Sequence, residues 1–189
     1  MQNKIFVISG PVAVGKTTVA KELFKVFPQL QKGTSYTTRE ARAGETEDKI
    51  MKYISEEKFN EKITSNDFIE WAKVHQYYYG TDKKVLLENL EKGPILLNID
   101  VQGGLNLADI QDNVVLIFIL PSSIKSLKER LLKRYNGKID QKDYDSRLKS
   151  ANNELKLAKQ YKYQVINADN QLENTIAELK VILSNELNS

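Results

Sequence analysis

Residues 10 to 17 read Gly10-Pro11-Val12-Ala13-Val14-Gly15-Lys16-Thr17, two glycines separated by four residues and followed by a lysine and a hydroxyl. The apolar run Ile5-Phe6-Val7-Ile8 before this octet reads as a buried strand, and Thr18 to Phe24 after it reads as a helix. A strand, a glycine-bearing turn and a helix in that order form a phosphate-binding loop and commit the chain to an α/β layout. The glycines let backbone N–H groups turn inward around a triphosphate, and the helix N-terminus adds partial positive charge. Lys16 reaches the β- and γ-phosphates, and the Thr17 hydroxyl can ligate magnesium. Gly10, Pro11, Val12, Ala13, Val14, Gly15, Lys16, Thr17 and Thr18 are therefore the candidate triphosphate-binding residues.

With 189 residues, 41% of them hydrophobic, the chain can bury one domain core, with room for an insertion. The sequence has no cysteine, which excludes disulfides, thiolate metal sites and cysteine nucleophiles. A metal must then sit on oxygen ligands or on the single histidine, His75, and magnesium is the natural candidate. A lone histidine without companions reads as a partly buried polar residue rather than a ligand or base. The formal charge of +3 is too small for a duplex nucleic-acid footprint, so no nucleic-acid partner is expected. No apolar run approaches membrane-spanning length, and Met1-Gln2-Asn3-Lys4 is no secretory leader; a cytoplasmic protein with no membrane partner is expected.

The stretch from Lys32 to Thr38 is polar and β-prone, and the charged run from Arg39 to Lys49 reads as a surface loop. A short strand, Ile50 to Ile54, precedes a helix capped by Ser55, with Glu56 and Glu57 in its first turn. Phe68 to Val74 and Gln76 to Tyr79 read as extended, completing a small mixed α+β lobe. Alternation then resumes: helix Asp82 to Glu91, strand Pro94 to Asp100, helix Gly104 to Asp109, strand Val114 to Leu120, helix Ser123 to Arg134. Strands apolar on both faces predict a parallel sheet covered by helices on both sides, a doubly wound α/β fold. Polar, glycine-containing Asn136 to Asp140 leads into a long helix ending near Lys159, which reads as a hinged cover. A strand, Tyr163 to Asn167, and a final helix close the chain; Asn170 and Glu173 have capping-box spacing, and Leu172, Ile176, Leu179 and Leu183 form a stripe.

Four further segments carry a resemblance. Ser35-Tyr36-Thr37-Thr38-Arg39-x-x-Arg42-x-Gly44-Glu45, Phe68-Ile69-Glu70-Trp71-Ala72, Tyr78-Tyr79-Gly80-Thr81 and Ile99-Asp100-Val101-Gln102-Gly103, in this order, resemble guanylate kinases. The likeness continues through Phe118 to Ser122, Arg130-Leu131, Arg134, Arg147-Leu148 and Val165 to Asn167, and so covers essentially the whole chain. It implies a P-loop core at 1–33 and 82–189, an inserted GMP-binding lobe at about 34–81 and a helical lid at about 135–147.

The activity implied is transfer of the γ-phosphoryl of ATP to GMP, and to dGMP, with magnesium, by a monomer or homodimer. Arg39 and Arg42 would bind the acceptor phosphate, which two guanidinium forks can share bidentately. The guanine contacts of the family fall on Ser35, Glu70, Thr81 and Asp100. A carboxylate such as Glu70 can accept from guanine N1–H and the 2-amino group, whereas adenine presents an acceptor there. By the same resemblance Tyr79 donates to the acceptor phosphate and Trp71 packs beneath the site. Lys16, Arg130, Arg134 and Arg147 supply cationic charge to the transferred group, Asn167 contacts the adenine side, and Asp100 reaches the metal through water.

The chain departs from the family pattern at four places. Ala13 stands where glycine is usual and Val12 where a small polar residue is usual. Met51 replaces a tyrosine that hydrogen-bonds the acceptor phosphate, and Asn98 replaces an aspartate. These departures keep two alternatives: a kinase with a different monophosphate acceptor, and a non-catalytic binding module.

Overall fold

The strand β1 (Ile5–Ser9) is buried along its whole length, which requires that both faces of its sheet be covered. The computed structural model describes residues 3–41 and 51–189. The other strands of the main sheet are β2 (Gln31–Lys32), β7 (Ile95–Asn98), β8 (Val114–Pro121) and β9 (Tyr163–Asn167), in the order β2-β7-β1-β8-β9. Every neighbouring pair is parallel. The crossovers are helical: α1 (Lys16–Val26), α3 (Lys83–Lys92), α4 (Val101–Ile110), α5 (Ile124–Arg134), α6 (Gln141–Leu157) and the terminal α7 (Leu172–Leu187).

Alternate residues of each strand enter opposite cores, as the two-residue period of a strand dictates. Phe6, Ile8, Leu96, Ile117, Ile119 and Val165 pack with Val19 and Leu23 of α1, Leu127 of α5, and Leu179 and Leu183 of α7. Ile5, Val7, Ile95, Leu97, Leu116 and Phe118 pack with Leu86 and Leu90 of α3, Leu107 of α4, and Tyr161. α6 bridges the two layers, with Ala151 in the first core and Ala158, just past its end, in the second.

The insertion is a four-stranded sheet of β3 (Ser35–Thr37), β4 (Met51–Tyr53), β5 (Phe68–Val74) and β6 (Tyr77–Asp82), ordered β4-β3-β6-β5, with helix α2 (Glu56–Thr64). Stacked Phe59 and Phe68, 4.5 Å between centroids, tie α2 to this sheet. Ser55 caps α2 by accepting from the Lys58 amide.

Several boundaries differ from the sequence expectation. The strand placed at Pro94 to Asp100 ends at Asn98, and the following helix begins at Val101 rather than Gly104. The reason is Asp100, whose Oδ1 accepts from the amides of Gln102 and Gly103 and so starts a helix where a strand end was expected. The last helix opens without the capping box: its N-cap is Gln171, no side chain caps it, and Asn170 has a left-handed φ of +57°. Finally, the expected loop from Arg39 to Lys49 falls largely outside the described residues. No helix among the described residues is long and apolar enough to cross a membrane.

Candidate active site

The octet between β1 and α1 turns on two glycines with positive φ, Gly10 at +146° and Gly15 at +106°. Contacts reinforce the angles: a Cβ on Gly10 would lie 2.4 Å from the Ile119 carbonyl oxygen, and one on Gly15 2.4 Å from Asn167 Nδ2. Ala13 takes φ +64° with its Cβ in place, a conformation costing an L-residue about 1–2 kcal/mol.

Pro11 and Val14 hold this loop from behind. Val14 is fully buried in the first core, its amide donates to the Pro11 carbonyl at 3.3 Å, and its own carbonyl accepts from Asn167 Nδ2 at 2.8 Å. Asn167 Oδ1 in turn accepts from the Thr175 hydroxyl at 3.1 Å, so both ends of this amide serve the loop. Pro11, Val14 and Asn167 do not line the cavity in front of it, and the Asn167 side chain braces the loop through these two bonds. Lys16 Nζ donates to the carbonyls of Gly10 at 2.5 Å and Pro11 at 3.2 Å. Desolvation pulls its ammonium down to about 8, with Glu154 opposing, Arg134 adding to the fall and Asp100 opposing it.

A cavity of about 700 Å³ opens in front of the loop, at the carboxyl ends of β1 and β7, where open α/β sheets bind ligands. Its walls come from Gly10, Val12, Ala13, Gly15, Lys16, Thr17 and Thr18 on the loop side, and from Ser35, Arg39, Glu70, Tyr79 and Thr81 on the lobe side. Asp100 lies between them, and Arg130, Arg134 and Arg147 complete the wall. Arg42 lies outside the described residues.

The lobe contributes a buried carboxylate. Pairing of β5 with β6 shifts register between Phe68 and Glu70, which sets Glu70 directly opposite Thr81, the re-aiming that a β-bulge provides. The Thr81 hydroxyl donates to Glu70 Oε1 at 2.5 Å, and both residues are buried. Burial pushes the Glu70 carboxyl up to about 7, against the Thr81 hydrogen bond and with a further push from Asp100. Burial also raises Asp100, held back by the Gly103 and Gln102 amides and by Lys16. The two acids converge on one spot: a Cβ on Gly103 would sit 2.6 Å from Glu70 Oε2 and 3.1 Å from Asp100 Oδ2. Arg39 stacks over the Tyr53 ring at 5.7 Å and donates through Nη1 to the Glu40 carbonyl at 2.5 Å. Trp71 is not beneath the site: strand alternation turns it outward beside Tyr78, and it is 42% exposed.

The three arginines differ. Arg130 is braced, Nε to Asp169 at 2.8 Å, Nη1 to the Val14 carbonyl at 3.0 Å and Nη2 to the Asn167 carbonyl at 2.8 Å. Asp169 also accepts from the Ser126 hydroxyl at 2.5 Å, and that bond together with Arg130 holds its carboxyl below the usual range. Arg147, on α6, bonds Asp143 at 3.2 Å and lies over Tyr135 at 5.3 Å. Arg134 enters the wall from the end of α5.

Several cavity residues were missed from sequence. Glu154 lies seven residues after Arg147 on the same helix, two turns along one face, and that spacing was the available signal. Its carboxylate accepts from Ser150 Oγ at 2.9 Å; burial raises it while Lys16 draws it down. Lys21 and Lys133 add cationic groups; His75, expected from the sequence to be a partly buried polar residue, is exposed on the β5–β6 turn and borders the wall from there. Asn98 donates from Nδ2 to Thr17 Oγ1 at 3.3 Å.

A glycine-bearing cradle thus faces the buried Glu70 and the half-buried Asp100 across one cavity. The sequence model for the family described as guanylate kinase matches residues 2–186. The chain belongs to the guanylate kinase family. Among relatives, it is 40% identical over 183 residues to the guanylate kinase of Caldanaerobacter subterraneus subsp. tengcongensis, spanning 96% of this chain and 87% of that protein. The guanylate kinase of Clostridium tetani is 39% identical over 96% of this chain and 86% of its own length. The crystal structure of guanylate kinase from Anaplasma phagocytophilum superposes with a TM-score of 0.80 at 32% identity, covering all of this chain and 88% of that one. Family membership matches the reading of the four segments, and the P-loop kinase fold matches the reading of the octet.

Proposed function

We propose that this guanylate kinase family member transfers the γ-phosphoryl group of ATP to GMP, and to dGMP, giving ADP and GDP or dGDP. The observation that carries this reading is the buried Glu70, oriented by Thr81, in the same cavity as the phosphate loop. A carboxylate in that position accepts from the adjacent N1–H and 2-amino donors of guanine and repels the N1 acceptor of adenine. Ser35 and Asp100 complete the base pocket, with Arg39, Arg42 and Tyr79 on the acceptor phosphate.

The triphosphate lies on the backbone amides of the octet, and Lys16 leaves the Gly10 and Pro11 carbonyls to pair with its β- and γ-oxygens. Arg134 and Arg147 stabilise the charge that spreads over the transferred group. Arg130 acts through the loop it braces. The lobe at about 34–81 presents GMP, and the segment at about 135–147 closes over the phosphates and excludes water.

Magnesium fits the donors present. Thr17 and Asp100 offer hard oxygen atoms, and among the described residues no cluster of three or more His, Cys, Asp or Glu could form a protein cage, as suits an ion held largely by substrate phosphates and water. Thr17 would hold it, with Asp100 acting through water; bound there, it neutralises charge on the β- and γ-phosphates.

A coupled assay of ADP release with GMP, dGMP, AMP, UMP and CMP tests the reading. Release driven by GMP and dGMP is expected. Release driven only by a non-guanine acceptor would reassign the substrate, and none with any acceptor would make the chain a binding module.

A further inference from the structure

We propose that Asn98 weakens the hold of Thr17 on a divalent cation, and so sets how strongly nucleotide binding depends on that cation in this chain. The inference rests on the reading of Thr17 as the metal-binding hydroxyl. Asn98 ends β7 in register with Ile8 of the neighbouring β1, two residues before the loop begins at Gly10. From there its Nδ2 donates to Thr17 Oγ1 at 3.3 Å, and both side chains border the cavity.

A threonine hydroxyl has one proton and two lone pairs. An amide N–H takes one of the lone pairs and sets its partial positive charge beside the position of a cation on the other. A carboxylate of the same shape would instead accept the hydroxyl proton, leave both lone pairs outward and add a negative charge. The bond to Thr17 comes from Asn98 and not from Asp100, whose Oδ1 accepts from the amides of Gln102 and Gly103 and whose Oδ2 lies beside Gly103 with Glu70 Oε2. Residue 98 is therefore the position from which this chain adjusts the basicity of the hydroxyl oxygen, and Asn98 adjusts it downward.

The test is the ratio of ADP affinities, by isothermal titration calorimetry, in saturating magnesium and in EDTA, compared among the native chain and the variants Asn98→Asp, Asn98→Ala and Thr17→Ala. Groups that orient and tune a metal ligand shift metal affinity by about 10–100-fold. Asn98→Asp is expected to raise the ratio about tenfold, through weaker binding in EDTA and equal or tighter binding in magnesium. Asn98→Ala, which removes the donor without adding charge, is expected to raise it by a smaller factor. Asn98 is exposed at a strand end, so neither change disturbs a core, and unchanged thermal melting would verify this. A ratio unaltered in Asn98→Asp, or lowered in Asn98→Ala, overturns the proposal. If Thr17→Ala abolishes the magnesium dependence in such a case, only the role of Asn98 falls; if Thr17→Ala leaves it intact, the metal reading of Thr17 falls too.

Discussion

The Thr81 hydroxyl meets the Glu70 carboxylate at 2.5 Å across the β5–β6 pair, with both side chains out of solvent. Glu70 is raised from 4.5 to about 7 in the fold, so below pH 7 the ligand-free protein favours its protonated form. The stability this group contributes is full below pH 4.5 and is lost as pH rises through 7, a change of about 3 kcal/mol at 1.36 kcal/mol per pH unit. Glu70→Gln is neutral at every pH, so chemical denaturation should show it gaining stability over the native chain at pH 8 and not at pH 4.

Guanine needs the ionised form, so GMP affinity should fall as pH drops below 7. The phosphate of GMP titrates near there too, with a second pKa of about 6, and Glu70→Gln separates the two. That variant should lose about a hundredfold in GMP affinity at pH 8, for two hydrogen bonds to a charged group, and retain only the pH slope of the phosphate. A full native slope in Glu70→Gln would remove Glu70 from the base pocket.

Lys16→Ala is expected to lower kcat by about 10²–10³, the scale of losing one preorganised charge on the developing anion. Steady-state kinetics with GMP saturating measures it. Undiminished turnover would contradict the site.

Arg130→Ala removes the donor of the Asn167 carbonyl and one of two donors of Val14. A buried acceptor left unmatched costs about 1–3 kcal/mol, and at about 2–4 °C per kcal/mol for this chain length Tm should fall by several degrees. KM for ATP should rise with KM for GMP unmoved. Arg130→Lys should not rescue it, since one ammonium cannot span three acceptors.

Ala13→Gly relieves a left-handed alanine, worth about 1–2 kcal/mol, against about 0.4–1 kcal/mol of added unfolded-chain entropy. The net expectation is a rise in Tm of about 2 °C, read by calorimetry. A lower Tm would mean that the methyl group makes a stabilising contact.

Met51 borders the cavity with Arg39 and Tyr79, where a tyrosine hydroxyl could reach an acceptor phosphate. Met51→Tyr should lower KM for GMP by the worth of one hydrogen bond to a charged group, about 1–3 kcal/mol. An unchanged KM would mean that another donor already serves that oxygen.

The main sheet was legible because its signals are local. Both-face apolar strands at Ile95 and Val114 and the glycine spacing of the octet depend on no distant partner. Glu70 was legible through its motif, but its bulge was not, since register is a property of two strands. Asn170 misled because a capping side chain competes with a left-handed backbone, and the backbone prevailed. Asn167 and Arg130 were read as facing substrate, since polarity shows in a sequence while partners do not; the structure adds that both donate to the Val14 carbonyl, Asn167 from outside the cavity lining and Arg130 from within its wall. Glu154 was overlooked among the charges of a mostly exposed helix, where one half-buried carboxylate resembles its solvated neighbours.

The Val14 carbonyl takes hydrogen bonds from donors 116 and 153 positions further along. While the ribosome still shields residue 167, a nascent chain carries every letter of the octet yet lacks the clasp that shapes it. The shape of the octet thus waits on a strand and a helix more than a hundred residues downstream, and a fragment cut before Asn167 should bind ATP more weakly than the whole chain.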